Sequence, residues 1–418
     1  MIRTMTNRID LVFAIQLVIV ALATTAVNAI RPMVTYRALG LGAGAFEVGL
    51  VAAVFSIAPV FFAVAIGRSI DRIGEAWFVR SALVAMTVGA ILAAIVDSLW
   101  LLALSQSVTG LGHVTNLIAG QALVANRGER SRRDHRYGYY SMMGSFGHLA
   151  GPLLGTSLVT AFALDAGPPR VTEANPQAPA FLAAALLAAL AFGLAWLLPL
   201  RRPRSSSRDA TSDDASLLFA ARGVLARPGM PFAMLVSMIV VSSIDVLVAY
   251  MPVYGEVRGL AVSTVGVMLA VRAGASMVSR LFMGYLIARL GRNRLLALSM
   301  GGATAGLVTL PLAESPWLLA ALMVLIGLGL GIGQPMTMAW VANRSPRAER
   351  GIALGVRLTG NRSALVVVPI VVGAVAGAAG VSVIFWLMAG LLGVGAVVGY
   401  RVRLDAEPPP RQAGEGAA

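Results

Sequence analysis

Gly67-Arg68-Ser69-Ile70-Asp71-Arg72-Ile73-Gly74 and Gly284-Tyr285-Leu286-Ile287-Ala288-Arg289-Leu290-Gly291 are two copies of one short connection. Gly67, Arg72 and Gly74 recur as Gly284, Arg289 and Gly291, each 217 residues later, with Ala288 in place of the acid Asp71. Two other stretches keep that spacing. Gly110-Leu111-Gly112 returns as Gly327-Leu328-Gly329, and Val124-Ala125-Asn126-Arg127 returns as Val341-Ala342-Asn343-Arg344. Three separated matches at one offset make the two halves of the chain structural repeats. A connection as short as Asp71–Gly74 needs glycine for backbone freedom.

Each copy follows a long apolar run. The chain of 418 residues is 58% hydrophobic and only 12% charged, whereas soluble domains carry about 25% charged residues. That composition excludes a soluble enzyme. Spanning a bilayer takes about 20 largely apolar residues per helix, and twelve runs qualify: 11–31, 45–66, 77–96, 99–123, 138–163, 178–199, 231–252, 262–287, 295–313, 317–341, 352–376 and 381–399. The runs are continuous and too long for alternating barrel strands. The expected fold is all-α, with twelve transmembrane helices in two pseudo-symmetric six-helix bundles.

Every one of the 33 basic residues is an arginine, and their placement orients the chain. With the N-terminus inside, 26 arginines fall on the inner side and four (Arg31, Arg37, Arg170 and Arg258) on the outer side. This is a strong positive-inside signal and makes both termini cytoplasmic. The net charge of +14 is therefore topological, and no nucleic acid partner is expected. Absence of lysine points to a GC-rich bacterial genome and the cell (inner) membrane. The boundaries read as an N-terminal bundle over 1–200, a polar cytoplasmic linker over 201–229, a C-terminal bundle over 230–400 and a disordered tail over 401–418. There is no cysteine, and His113, His135 and His148 form no metal motif, so neither metal nor cofactor is expected. No nucleotide-binding loop is present.

The residues at 67–74 resemble the loop signature of the major facilitator superfamily, and 284–292 is a second copy. Gly147-His148-Leu149-Ala150-Gly151-Pro152-Leu153-Leu154-Gly155 in span 5 is similar to a motif of that superfamily's antiporters. The resemblance covers essentially the whole chain and is closest to the twelve-helix drug/proton antiporter type. It implies alternating access of two halves. It also implies that Asp71 contacts the N-terminus of span 11, locking the halves together on the cytoplasmic side. Gly67, Asp71, Arg72, Gly74, Gly284, Arg289, Gly291 and Arg357 thus form a candidate cytoplasmic gate. Two departures stand out. Gln106 occupies the span-4 position that usually holds arginine in drug/proton antiporters, and Glu75 stands where the signature usually ends in a basic residue. Gly147, Gly151 and Gly155 share one helix face beside Pro152, which suits close helix approach with or without a role in antiport.

Ionisable residues inside spans are costly and mark candidate functional sites. Asp245 is the only acid well inside an apolar run, and Arg272 falls at nearly the same depth in span 8, so an ion pair between them is expected. The repeat maps Asp245 onto Asn28 of span 1. In span 11, Asn361 and Arg362 join Arg357 in a stretch too polar to face lipid. In span 4, Gln106, Thr109, His113 and Asn116 form a stripe suited to a water-filled cavity. His148 reads more readily as a packing residue beside Pro152. With the resemblance, these residues lead to the expectation of a transporter rather than an enzyme: a monomer in the lipid bilayer, exporting a small amphipathic compound in exchange for protons carried by Asp245. The alternative is proton-coupled uptake of a small organic anion, for which Arg272, Arg357 and Arg362 supply cations.

Overall fold

A computed structural model describes residues 2–126, 133–164, 175–200, 222–227, 229–345 and 350–401. Among these residues the chain is helical and has no strand. Span 1 is Ile2–Gly40, span 2 Ala45–Ile73, span 3 Glu75–Ile95, span 4 Leu99–Asn126, span 5 Arg133–Leu164 and span 6 Ala178–Ala195. Span 7 is Met230–Val257, span 9 Arg292–Thr309, span 10 Pro316–Arg344, span 11 Arg350–Ala379 and span 12 Ser382–Arg401. Span 8 comprises two helices, Val262–Leu281 and Met283–Leu290. Ten of the spans are long and apolar enough to cross a membrane. Spans 4 and 5 have the length, at 28 and 32 residues, but carry the polar side chains of the candidate site. Most of the linker and the tail after Arg401 lie outside the described residues.

Two boundaries near the site differ from the sequence reading. Span 1 continues through Arg31, Pro32 and Arg37 to Gly40, so these arginines lie within a helix rather than an outer loop. Arg37 is absorbed by donating to the Val96 carbonyl at the end of span 3, with Nη2 at 2.7 Å. Span 2 runs to Ile73, which puts Asp71 and Arg72 in a last helical turn. The turn itself is the single residue Gly74 (φ 108°, ψ 150°), matched in the second half by Gly291 (φ 75°, ψ 162°). Backbone of this kind is essentially restricted to glycine. Glu75, where a base was expected, is buried and accepts a hydrogen bond from Asn126 Nδ2 at 2.8 Å, tying span 3 to the end of span 4.

The duplication is visible contact by contact. Spans 1–5, 2–4, 3–4 and 3–6 pack in the first half as 7–11, 8–10, 9–10 and 9–12 do in the second. A Cβ on Gly110 would strike the backbone of Phe55, and one on Gly327 would strike the backbone of Arg272. Gly112 abuts Ala82 just as Gly329 abuts Ser299. Every residue in these pairs maps onto its counterpart at the offset of 217. Trp100 and Trp317, again 217 apart, are 79% and 86% exposed at the starts of spans 4 and 10, as expected of aromatic anchors at a membrane interface.

The halves meet along span 2 against span 11 and span 5 against span 8. Their closest approaches lie at the end of the bundle opposite the termini, called here the distal end. There Gly49 abuts Pro369, Gly373 abuts Ala45, and Gly266 abuts Thr156. Tyr250, fully buried, donates to the Ala45 and Pro369 carbonyls at 3.1 and 2.9 Å. Toward the termini a Cβ on Gly67 of span 2 or Gly355 of span 11 would meet nothing within 4 Å, while spans 5 and 8 keep a contact between Arg280 and Ser145 at 3.3 Å.

Candidate functional site

Thr24, Asn28, Arg31 and Thr35 recur at helical spacing and so share one face of span 1. Its nearer part packs on span 5. The expected close approach of the glycine ladder is present: Gly147 abuts Thr24, Gly151 abuts Asn28 and Gly155 abuts Ala29. Pro152 continues that helix, and its carbonyl accepts from Thr156 Oγ1 at 2.7 Å. His148, on the adjoining face, is exposed to the space between the halves, while its Nδ1 lies 2.8 Å from Asn28 Oδ1. An amide oxygen only accepts, so Nδ1–H is the donor in this contact.

The farther part of that face crosses to the other half. Arg31 forms an ion pair with Asp245 of span 7, and Thr35 donates to the Ala249 carbonyl at 2.9 Å. The Arg31 guanidinium also lies 5.0 Å from the centroid of the Phe55 ring. On its other flank, Phe55 is 6.0 Å from the His113 ring. A cavity of about 20 Å³, room for one water, opens beside this cluster and is lined by Arg31, Thr35, Phe55, Gln106 and Ala249.

The expected Asp245–Arg272 pair is thus replaced by Asp245–Arg31. The reason is rotational: the face of span 7 that carries Asp245 and Ala249 is turned to span 1. Arg272 instead belongs to the span-10 contact, its backbone against Gly327, with His148 and Arg280 as charged or titratable neighbours. Arg272 is 4% exposed, makes no hydrogen bond among the described residues, and leaves Nε sealed without a partner. Arg362 is half-buried, within electrostatic range of both Asp245 and Arg31.

Other expected members separate from the site. Arg357 is not at an inter-half gate. It donates to Gln334 Oε1 at 2.6 Å, with Thr337 Oγ1 at 3.3 Å, both on span 10 of its own half. The span-4 stripe divides, because i to i+10 turns through about 80° net of whole turns. Gln106 lines the small cavity and His113 meets Phe55, whereas Thr109 is sealed against Gly89 of span 3. Asn116 is 2% exposed with Oδ1 unpartnered, and Asn361 is 5% exposed in the same condition. Of the gate residues, Gly67 and Gly284 face open space, Arg72 is exposed, and Arg289 lies 5.4 Å from the Tyr285 ring. The Asp71 side chain lies outside the described residues.

Arg31, Phe55 and Arg280 are site residues that the sequence reading missed. Arg280 donates Nε–H to the Gly331 carbonyl at 3.0 Å and reaches Ser145 Oγ across the halves at 3.3 Å. A signal for Arg31 was available, since Asn28 and Arg31 are three apart on the face that the repeat equates with Asp245.

Comparison with known proteins finds similar sequences and folds. The profile of the Major Facilitator Superfamily matches residues 16–316 and, in a second overlapping match, 261–418. The uncharacterized MFS-type transporter YdeG of Bacillus subtilis (strain 168) is 28% identical over 324 residues, covering 75% of this chain and 74% of its own. The multidrug resistance protein MdtG of Serratia proteamaculans (strain 568) is 28% identical over 156 residues, so the match spans 36% of this chain and 38% of that protein. Among solved structures, the nucleoside transporter NupG superposes with a TM-score of 0.73 at 15% identity, covering 93% of this chain and 98% of its own. A bacterial homologue of the human lysosomal transporter Spinster gives 0.76 at 13%, covering 94% and 96%.

The chain belongs to the major facilitator superfamily, and its apolar helices make it a multi-pass membrane protein.

Proposed function

We propose that this member of the major facilitator superfamily exports a small amphipathic organic compound across the cell membrane in exchange for protons. The terminal end is cytoplasmic, in keeping with the arginine bias. The observation that carries the reading is the Arg31–Asp245 ion pair, which bridges the two halves from within their spans.

Asp245 lies well inside the apolar length of span 7, and its partner comes from the opposite half. While both are charged, the pair adds to the distal contacts of Tyr250, Gly49 and Gly373 and holds the outer side shut. A proton on Asp245 removes one charge, and a substrate that draws Arg31 away removes its partner. Either event weakens the outer closure, so each loaded form can change face while the empty form stays locked. A carrier that crosses only when loaded with one ligand or the other exchanges them. The partial similarity to MdtG supports export of a compound foreign to the cell.

The test is transport in proteoliposomes under an imposed proton gradient. Asp245→Asn should abolish gradient-driven accumulation yet retain counterflow of labelled substrate. Undiminished gradient-driven transport by the variant would remove Asp245 from the coupling. Uptake together with protons is the rival reading, and a proton moving in the same direction as the substrate would establish it.

A further inference from the structure

We infer that the transported compound is an amphipathic organic anion, and that its carboxylate, phosphate or phosphonate is taken by Arg272, with Arg362 adding to the positive field of the inter-half space. This inference rests on the transporter reading above and names the substrate class of the same site.

The argument is an assignment of partners. Five arginines lie within the spans at or near the inter-half space: Arg31, Arg272, Arg280, Arg357 and Arg362. Three are engaged. Arg31 pairs with Asp245, Arg280 donates to Gly331 and Ser145, and Arg357 donates to Gln334 and Thr337. Neither Arg272 nor Arg362 makes a hydrogen bond among the described residues. An enclosed cation without a partner costs several kcal/mol in a low-dielectric interior, roughly as much as a buried pair loses when one member is deleted. That cost persists only where something else in the working cycle offsets it.

Arg272 has the geometry of a receptor. Its Nε is sealed, its two terminal nitrogens make no hydrogen bond among the described residues, and the exposed His148 of the opposite half is one of its neighbours. Among the described residues no acid is one of its charged neighbours; Arg280 and His148 are. Arg362 lies within range of Arg31 and Asp245, and His113 lies within range of Arg362 and Arg31. Counting Arg31, Arg272 and Arg362 against Asp245 leaves a surplus of two positive charges. A planar guanidinium pairs with a carboxylate or phosphate through two parallel N–H···O bonds. An apolar neighbour is at hand in the Phe55 ring under Arg31.

The experiment measures equilibrium binding to the full-length chain in detergent, without any gradient. Labelled 1-naphthylacetate is the probe, and 1-naphthylacetamide, benzoate, benzamide and phenylphosphonate are competitors. The acids should bind at least about tenfold more tightly than their amides, and Arg272→Gln should weaken the acids by about 10- to 100-fold, the worth of a hydrogen bond to a charged group. The same variant should leave amide binding unchanged, and Arg272→Lys should lose less. Asp245→Asn should bind the acids at least as well as the native chain, because a competing anion has gone. Equal binding of acid and amide, or no binding of any acid, would overturn the inference. So would an acid preference that survives both Arg272→Gln and Arg362→Gln. Should Arg272→Gln not fold, the native acid-to-amide ratio and Arg362→Gln still decide. Acid selectivity together with unaltered proton-driven transport by Asp245→Asn would refute the coupling and leave this inference standing; the reverse pattern would refute only the inference.

Discussion

Replacing Asp245 with Asn removes the charge that Arg31 holds across the two halves, and its conformational effect can be worked from the structure. The two side chains are 8% and 17% exposed, respectively. A pair this enclosed exceeds the roughly 0.2–1 kcal/mol of a surface ion pair. Close charge pairs at interfaces show coupling of about 1.5–7 kcal/mol. The Arg31–Phe55 contact survives the substitution, and the new amide can still accept one hydrogen bond, so about 1.5–3 kcal/mol is a fair loss. That corresponds to roughly a 10- to 150-fold change in the equilibrium between faces. If the distal-open form is about 1% of the native population, it should rise to about 10–60%. The direction follows from position, since the pair sits on the side that Tyr250, Gly49 and Gly373 close. The chain has no cysteine, so Gly40→Cys and Gly377→Cys, both exposed with open space for a side chain, provide the only two sites for spin labels. Pulsed electron-electron resonance should then show a longer distance gaining population in Asp245→Asn. Arg31→Gln should act in the same direction, and the double variant should do little more than either single one. An unchanged distance distribution in Asp245→Asn would refute the reasoning, as would a shift toward the shorter one.

Gly110→Ala and Gly327→Ala should each lower the thermal unfolding temperature in detergent, with about 1–3 kcal/mol lost to overpacking against the Phe55 and Arg272 backbones. Gly144→Ala, whose Cβ meets nothing within 4 Å, should be neutral or gain up to about 1 kcal/mol of helix propensity. Gly74→Ala and Gly291→Ala should cost about 1–3 kcal/mol each, because both turns use backbone that side chains disfavour; equal stability to the native chain would show that the turns relax freely. Arg357→Met should destabilise the protein by about 1–3 kcal/mol through the stranded Gln334 oxygen, yet leave the apparent substrate KM within twofold. A large KM change with unaltered stability would return Arg357 to the transport pathway.

The duplication was legible in the sequence because glycine positions fixed by backbone collision cannot drift. Gly110 and Gly327, or Gly74 and Gly291, keep both their spacing and their surroundings. The all-helical class followed from apolar length alone, and ten of the twelve expected spans are long and apolar enough to cross a membrane among the described residues. What the sequence did not reveal was rotation about the helix axis. Depth suggested that Asp245 would meet Arg272, and only the packed helices decide that its face turns to span 1. The same uncertainty divided the span-4 stripe: Thr109 and Gln106 are three residues apart, yet one is sealed on span 3 and the other lines a cavity. Arg31 was missed for a different reason. An arginine followed by proline reads as the end of an apolar run, but an arginine paired with a buried acid and lying over a ring can stay inside the helix.

The most direct test of the account is the proton flux that accompanies substrate movement. With a pH-sensitive dye enclosed in proteoliposomes, adding substrate to the native protein should move protons opposite to the substrate. In Asp245→Asn, substrate counterflow should persist with no dye response. A variant that still moves protons with its substrate would contradict the claim that the inter-half ion pair couples the two fluxes.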